Sequence, residues 1–164
     1  MKTKILTLLM LFITFSATAQ TLTLAELQNL CKLSNWQTGN DILTRKGWEF
    51  YGSDKGDASH YASISFAYDI SDWNGDYASG WARLYIDDDG HVARVYYNGP
   101  NAAMNTIKNS LTANGYKRIN SEIDDGNIIT IYANNSFELK FTTFTSDTQF
   151  GGTKASSSII LSRK

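Results

Sequence analysis

The segment LTRKGW at residues 43–48 recurs as LTANGY at residues 111–116, at an offset of 68 residues. In both segments a glycine follows an apolar helical face, and an aromatic residue follows the glycine. A glycine in this place is typical of the left-handed residue that ends an α-helix, so the aromatic residue opens a strand. The offset also aligns Trp36 with Met104, about two helical turns before the two leucines. The sequence therefore predicts two related halves.

Alternating apolar residues separated by turn residues predict the strands. They lie near residues 48–52, 61–69, 80–86 and 91–97 in the first half, and near 116–123, 127–133, 136–144 and 157–162 in the second. A helix at 102–114 separates the two sets, and the polar stretch 146–156 is predicted to be a flexible loop. Strands joined by short turns are antiparallel.

The predicted fold class is therefore α+β. We expect an antiparallel sheet of about eight strands in two tandem helix-plus-four-strand halves, at about 20–98 and 99–164. Helices are expected on one face of this sheet and solvent on the other.

An additional helix precedes the first half. Residues 23–26 form a capping box, Thr-Leu-Ala-Glu, and Leu22 is placed to pack on Leu27. Cys31 lies on the apolar stripe of this helix, so we expect a buried small side chain rather than a reactive thiol.

The first nineteen residues have the pattern of a secretory signal peptide. Lys2 and Lys4 precede an apolar run at 5–15, and a small-x-small cleavage site follows at 17–19. The apolar run is too short for a helix that spans a bilayer. We expect cleavage of residues 1–19, a single domain at 20–164, and export to the periplasm or beyond. No membrane insertion is expected after cleavage, and no lipid anchor, because residue 20 is not cysteine.

Charge and motifs disfavour several function classes. Without Lys2 and Lys4, 13 of the 15 basic residues remain against 16 acidic ones, which leaves a net charge near −3. Nucleic-acid binders usually carry a basic excess. His60 and His91 lack a second histidine or cysteine at zinc-ligand spacing. Because no catalytic motif emerges, we expect a non-enzymatic protein without a cofactor.

Strand alternation collects five side chains on the face opposite the helices. These residues, here called the aromatic–arginine patch, are Trp81, Arg83, Tyr85, Arg94 and Tyr96. Tyrosine, tryptophan and arginine are the residue types enriched at binding hot spots. The same side chains also stabilise an open sheet by pairing across strands, whether or not anything binds.

The register between the two strands of the patch depends on the Asp-Gly turn that joins them. A two-residue loop pairs Tyr85 with Arg94, whereas a four-residue loop pairs Arg83 with Arg94. Simple alternation also places Val92 on this open face and Ala93 on the core face.

These observations predict a protein that binds an unidentified protein partner through its open sheet face. The alternative is a module that binds a small ligand or a glycan, and an enzyme of unknown type comes third. Calcium is a further candidate ligand, because carboxylate and amide oxygens cluster in one loop. The candidate metal site comprises Asp69, Asp72, Asn74 and Asp76.

The paired LTxxG[WY] junctions and the strand counts resemble the architecture of the β-lactamase-inhibitor-protein family, over residues 22–162. The resemblance implies a tandem α+β fold and an inhibitor-like protein partner. That family's two disulfides have no counterpart in a chain with one cysteine. The start of the chain, through Gly47-Trp48-Glu49-Phe50-Tyr51, also resembles small uncharacterised exported proteins of Bacteroidota.

Overall fold

The computed structural model describes residues 21–70, 78–148 and 152–164. Its helices are α1 (Leu24–Leu30), α2 (Trp36–Arg45) and α3 (Asn101–Ser110), with a 3₁₀ turn at Thr112–Asn114. Its strands are β1 (Glu49–Asp54), β2 (Ala62–Ile70), β3 (Ala78–Ile86), β4 (Val92–Asn98), β5 (Lys117–Asp124), β6 (Asn127–Ala133), β7 (Phe137–Thr148) and β8 (Gly152–Arg163). None of the described helices combines the length and the apolar character needed to cross a membrane. The predicted signal peptide lies outside the described residues.

The start of α1 is held by the predicted capping box. The Thr23 N–H donates to Glu26 Oε2 at 2.8 Å, and the Glu26 N–H donates to Thr23 Oγ1 at 3.3 Å. Lys46, at the end of α2, forms an ion pair with the same glutamate. This carboxylate therefore ties the ends of two helices together.

All eight strands form one antiparallel sheet in the order β1-β2-β3-β4-β8-β7-β6-β5. Each half of the chain supplies four consecutive strands, and the two sets meet where β4 pairs with β8. This pairing answers a question that the sequence left open, namely whether the half-sheets join edge to edge. The α+β prediction is confirmed.

The hydrophobic core lies between the helices and one face of the sheet. Leu27, Leu43 and Met104 reach it from α1, α2 and α3, and Leu84 and Leu161 reach it from central strands. The buried apolar residues of all three helices belong to this core cluster, so the helices pack on the same face. The opposite face is the open face of the sheet.

The predicted flexible loop between the last two strands was wrong. The ladder between β7 and β8 continues from Phe144↔Ser156 to Thr148↔Gly152, within the polar stretch. Threonine has a high strand propensity, so a polar stretch that contains it can still pair as strands. The polarity of this stretch therefore does not indicate a lack of secondary structure.

Candidate functional site

The aromatic–arginine patch lies on the open face of β3 and β4. In the register between these strands, Arg83 is opposite Tyr96 and Tyr85 is opposite Arg94. The residues that alternate with them, such as Leu84 and Val95, are fully buried in the core. The structure thus brings all five patch residues onto one face, in the first of the two registers considered above.

The turn of this hairpin differs from the two-residue loop that the sequence suggested for this register. The Gly90 N–H donates to the Asp87 carbonyl at 3.0 Å, and Gly90 has a φ of 83°. Ile86 pairs with Val92 but Tyr85 pairs with Arg94, so Ala93 is an extra residue in β4. A three-residue turn followed by a bulge therefore gives the same pairs as a two-residue loop.

This bulge corrects the predicted position of Val92. Simple alternation put Val92 on the open face, whereas it is fully buried in the core cluster. An extra residue shifts the side-chain alternation by one position, so Val92 and Arg94 point to opposite faces. Ala93, expected in the core, is only half-buried.

Tyr51 lies against Trp81 at the edge of the aromatic–arginine patch. Their ring centroids are 4.7 Å apart and their planes meet at 89°, an edge-to-face arrangement. Tyr51 lies in β1 at a bulge, because Phe50 pairs with Phe66 whereas Gly52 pairs with Ser65. Sequence reasoning missed Tyr51 because regular alternation does not show where a bulge lies.

Tyr96 occupies the centre of the patch and is half-buried. Burial raises the pKa of Tyr96, although a side-chain hydrogen bond with Ser158 opposes this shift. The phenol therefore stays protonated at neutral pH and can both donate and accept a hydrogen bond. In β8, Ile160 lies opposite Tyr96, so the open face continues into the strands of the second half.

The two arginines of the patch have no carboxylate partner among the described residues. Arg83 Nε donates to Ser65 Oγ at 2.9 Å, and the Arg94 guanidinium lies 5.1 Å from the centre of the Tyr61 ring. The three ion pairs within the described part of the chain involve neither arginine. Both arginines are exposed, and their guanidinium groups can donate hydrogen bonds to acceptors on a partner.

Two cavities adjoin on this face and share Tyr85. One has a volume of about 350 Å³ and lies among Ser65, Trp81, Arg83 and Tyr96. The other has a volume of about 850 Å³ and is lined on one side by the β1–β2 loop. Residues 55–62 of that loop approach the end of the sheet, which the sequence did not predict because a loop's path depends on tertiary contacts.

The predicted calcium loop is described only at Asp69. This residue has a φ of 54°, and its carboxylate accepts a hydrogen bond from Ser79 Oγ at 2.6 Å. Asp72, Asn74 and Asp76 lie outside the described residues. Calcium binding by this loop stays a prediction.

His60 and His91 lie next to aspartates in two tight turns. His60 Nδ1 is 3.2 Å from Asp57 Oδ1, and His91 Nδ1 is 3.6 Å from Asp87 Oδ2. Asp87 Oδ1 also accepts the His91 N–H at 2.8 Å, a contact that closes the hairpin. Potential metal-ligand atoms of Asp87, Asp89 and His91 lie within 4.8 Å of one another. The geometry of the turn accounts for this arrangement without a metal.

Cys31 is buried, as predicted. Its thiol contacts the carbonyl oxygens of Ala93 and Leu161 at 3.7 and 3.6 Å. Burial raises the pKa of Cys31, with a smaller opposing effect from Arg163. A protonated, inaccessible thiol is a poor nucleophile.

Comparison of the chain with protein-family models, with curated proteins and with solved structures finds no match. The resemblance to the β-lactamase-inhibitor-protein architecture and to exported proteins of Bacteroidota therefore stays a prediction. Any functional argument has to rest on the site itself.

Proposed function

We propose that this chain is an exported, non-enzymatic binding protein that recognises a protein partner through its open sheet face. The observation that supports this most is the position of the aromatic–arginine patch on two central strands, opposite the helices. A solvent-facing cluster of tryptophan, tyrosine and arginine has the composition of a binding hot spot.

The central position favours binding because the patch is rigid. β3 and β4 are hydrogen-bonded on both sides, to β2 and β8 and to each other. Their backbone groups are therefore occupied, so a partner must be recognised by side chains. Because the strands are already ordered, little conformational entropy is lost when the partner binds.

Charge indicates the chemistry of the partner's contact region. Within the part of the chain that the structure describes, Arg83 and Arg94 form no ion pair with a carboxylate, and Lys140 lies on the same face through its pairing with Ile160. Exposed cations on a net-acidic chain favour an acidic group on the partner. The resemblance to the β-lactamase-inhibitor-protein architecture adds an inhibitor-like role to this proposal, by analogy only.

A pull-down tests the proposal, with the exported form, residues 20–164, as bait against envelope and culture-medium proteins. The Trp81→Ala/Arg94→Ala double variant should lose the partner and keep its fold. Gln37→Ala/Arg45→Ala is the matched control, because it also removes one positive charge but lies on the exposed side of α2. Equal retention by all three proteins would refute a site on the patch.

A further inference from the structure

The larger cavity on the open face has the volume of a ligand pocket. Its volume of about 850 Å³ lies within the range of roughly 300–1,000 Å³ that is usual for small-molecule sites. One wall is the β1–β2 loop, and the other is the end of β3 and β4 together with Ile160 of β8. The cavity lies beside the aromatic–arginine patch and shares only Tyr85 and Arg94 with it.

Hydrogen bonds within the β1–β2 loop stabilise the wall that it forms. Asp57 Oδ1 accepts the N–H groups of Ser59 and His60 at 2.7 and 3.0 Å, and also the Ser59 hydroxyl. Gly56 has a φ of 70°, and a Cβ there would lie 2.4 Å from the Ala62 nitrogen. A wall that is ordered before binding reduces the entropic cost of binding a ligand.

Aromatic rings and an arginine converge on the cavity from both walls. Tyr61 comes from the loop and Tyr85 from the sheet. The Arg94 guanidinium lies 5.1 Å from the centre of the Tyr61 ring, a cation–π contact that orients its N–H groups. Tyrosine offers an apolar face and a hydroxyl, which together suit a ligand that carries both C–H and O–H groups.

The charges around the cavity are mixed and nearly balanced. Lys55 and Arg94 supply two positive charges, and Asp57, Asp87 and Asp88 supply three negative ones. A ligand with a strong charge of either sign would meet repulsion as well as attraction. Alternating donors and acceptors instead suit a neutral ligand with many hydroxyl groups, which can pair with both.

We propose that this cavity binds a neutral saccharide, which stacks on Tyr61 and Tyr85 and forms hydrogen bonds with Arg94 and Asp88. This site adjoins the aromatic–arginine patch and shares Tyr85 and Arg94 with it, but it is proposed for a different kind of ligand. Neither proposal depends on the other, because Tyr61 lies outside the aromatic–arginine patch and Trp81 lies outside the cavity.

The test is calorimetry on the protein purified after export, with hexasaccharides of glucose, xylose, mannose and N-acetylglucosamine as probes. An oligogalacturonate of equal length is the anionic comparison. At least one neutral probe should bind with a Kd below about 1 mM. Tyr61→Ala should weaken that binding about tenfold or more, the effect of one stacking contact of about 1.4 kcal/mol, whereas Tyr61→Phe should retain it.

Arg94→Ala is the second variant, and it should also weaken binding. It keeps the proposal testable if Tyr61→Ala fails to fold. Gln37→Ala, on the exposed side of α2, is the control. The proposal is overturned if no neutral probe binds, if the oligogalacturonate binds most tightly, or if folded Tyr61→Ala and Arg94→Ala variants bind as the wild type does. If a neutral saccharide binds and the pull-down finds no protein partner, the saccharide site is supported and the protein-binding proposal is not.

Discussion

Gly47 and Gly115 have the same backbone conformation, 68 residues apart. Their φ angles are 82° and 76°, and each N–H donates to the threonine carbonyl three residues earlier, at 2.9 and 3.0 Å. The next residue in each half, Trp48 or Tyr116, donates its N–H to the carbonyl of the leucine five residues earlier, Leu43 or Leu111. Both junctions close in the same way, which supports the prediction that the two halves are related.

Gly47→Ala and Gly115→Ala should each lower the free energy of unfolding by about 1 kcal/mol, because a Cβ is disfavoured at positive φ. Chemical denaturation measures this directly. Gly52→Ala is the matched control, since a Cβ there would meet nothing within 4 Å and its φ is not positive. An equal loss at Gly52 would contradict the role of the left-handed conformation.

Glu26→Gln should reduce the acid sensitivity of the fold. Burial raises the pKa of Glu26, but hydrogen bonds from Lys46 and Thr23 outweigh this effect, so its pKa lies below the ordinary value of 4.5. The charged form therefore stabilises the folded state above the unfolded-state pKa, and this contribution disappears as the pH falls through the folded-state pKa.

Urea unfolding at several pH values measures that contribution. The difference in stability between wild type and Glu26→Gln should be largest near neutral pH and should shrink as the solution becomes acidic. Glu138→Gln, an exposed carboxylate outside the ion pairs of the described chain, is the control and should show no such trend. A difference that grows in acid would give the wrong sign.

Cys31 should react with a thiol reagent only after unfolding. Its side chain is fully buried and its pKa is raised, so both access and thiolate formation are suppressed. Labelling with an aromatic disulfide reagent, with and without denaturant, measures the rates. Fast labelling of the native protein would mean that α1 detaches from the sheet readily.

Substitution by alanine should destabilise the fold at Val92 much more than at Arg94. Val92→Ala removes buried apolar volume and should lower the free energy of unfolding by about 2 kcal/mol. Arg94→Ala changes an exposed side chain and should stay within about 0.5 kcal/mol of wild type. Thermal denaturation, repeated at several denaturant concentrations, measures the change in unfolding free energy for each variant. Comparable losses at both sites would contradict the bulge at Ala93.

Local patterns carry information about neighbours along the chain, and the predictions that depend on them were accurate. The capping box at Thr23 and Glu26 was confirmed because all its atoms lie within one helical turn. The open-face position of Arg83 and Tyr85 followed from alternation within one strand. Such features depend on backbone geometry that the adjacent residues specify.

Features that depend on long-range contacts were missed or misplaced. The bulge at Ala93 moved Val92 into the core, and the bulge at Tyr51 put an additional aromatic ring beside Trp81. A bulge adds one residue to a strand but requires no particular residue type, so an alternating pattern does not reveal where it lies. The pairing of β7 with β8 continues through the stretch predicted to be a loop, because strand hydrogen bonds join backbone groups and do not require apolar side chains.

The α+β class, the number of strands and the side of the sheet that the helices cover could be predicted from the sequence alone, because period-2 and period-3.6 patterns are local. The pairing of β4 with β8, and the cavity that the β1–β2 loop forms with Arg94, became evident only from the three-dimensional structure. These contacts join residues far apart in the chain. Their formation depends on the shared burial of a core and on backbone hydrogen bonds between distant strands, which no local pattern encodes.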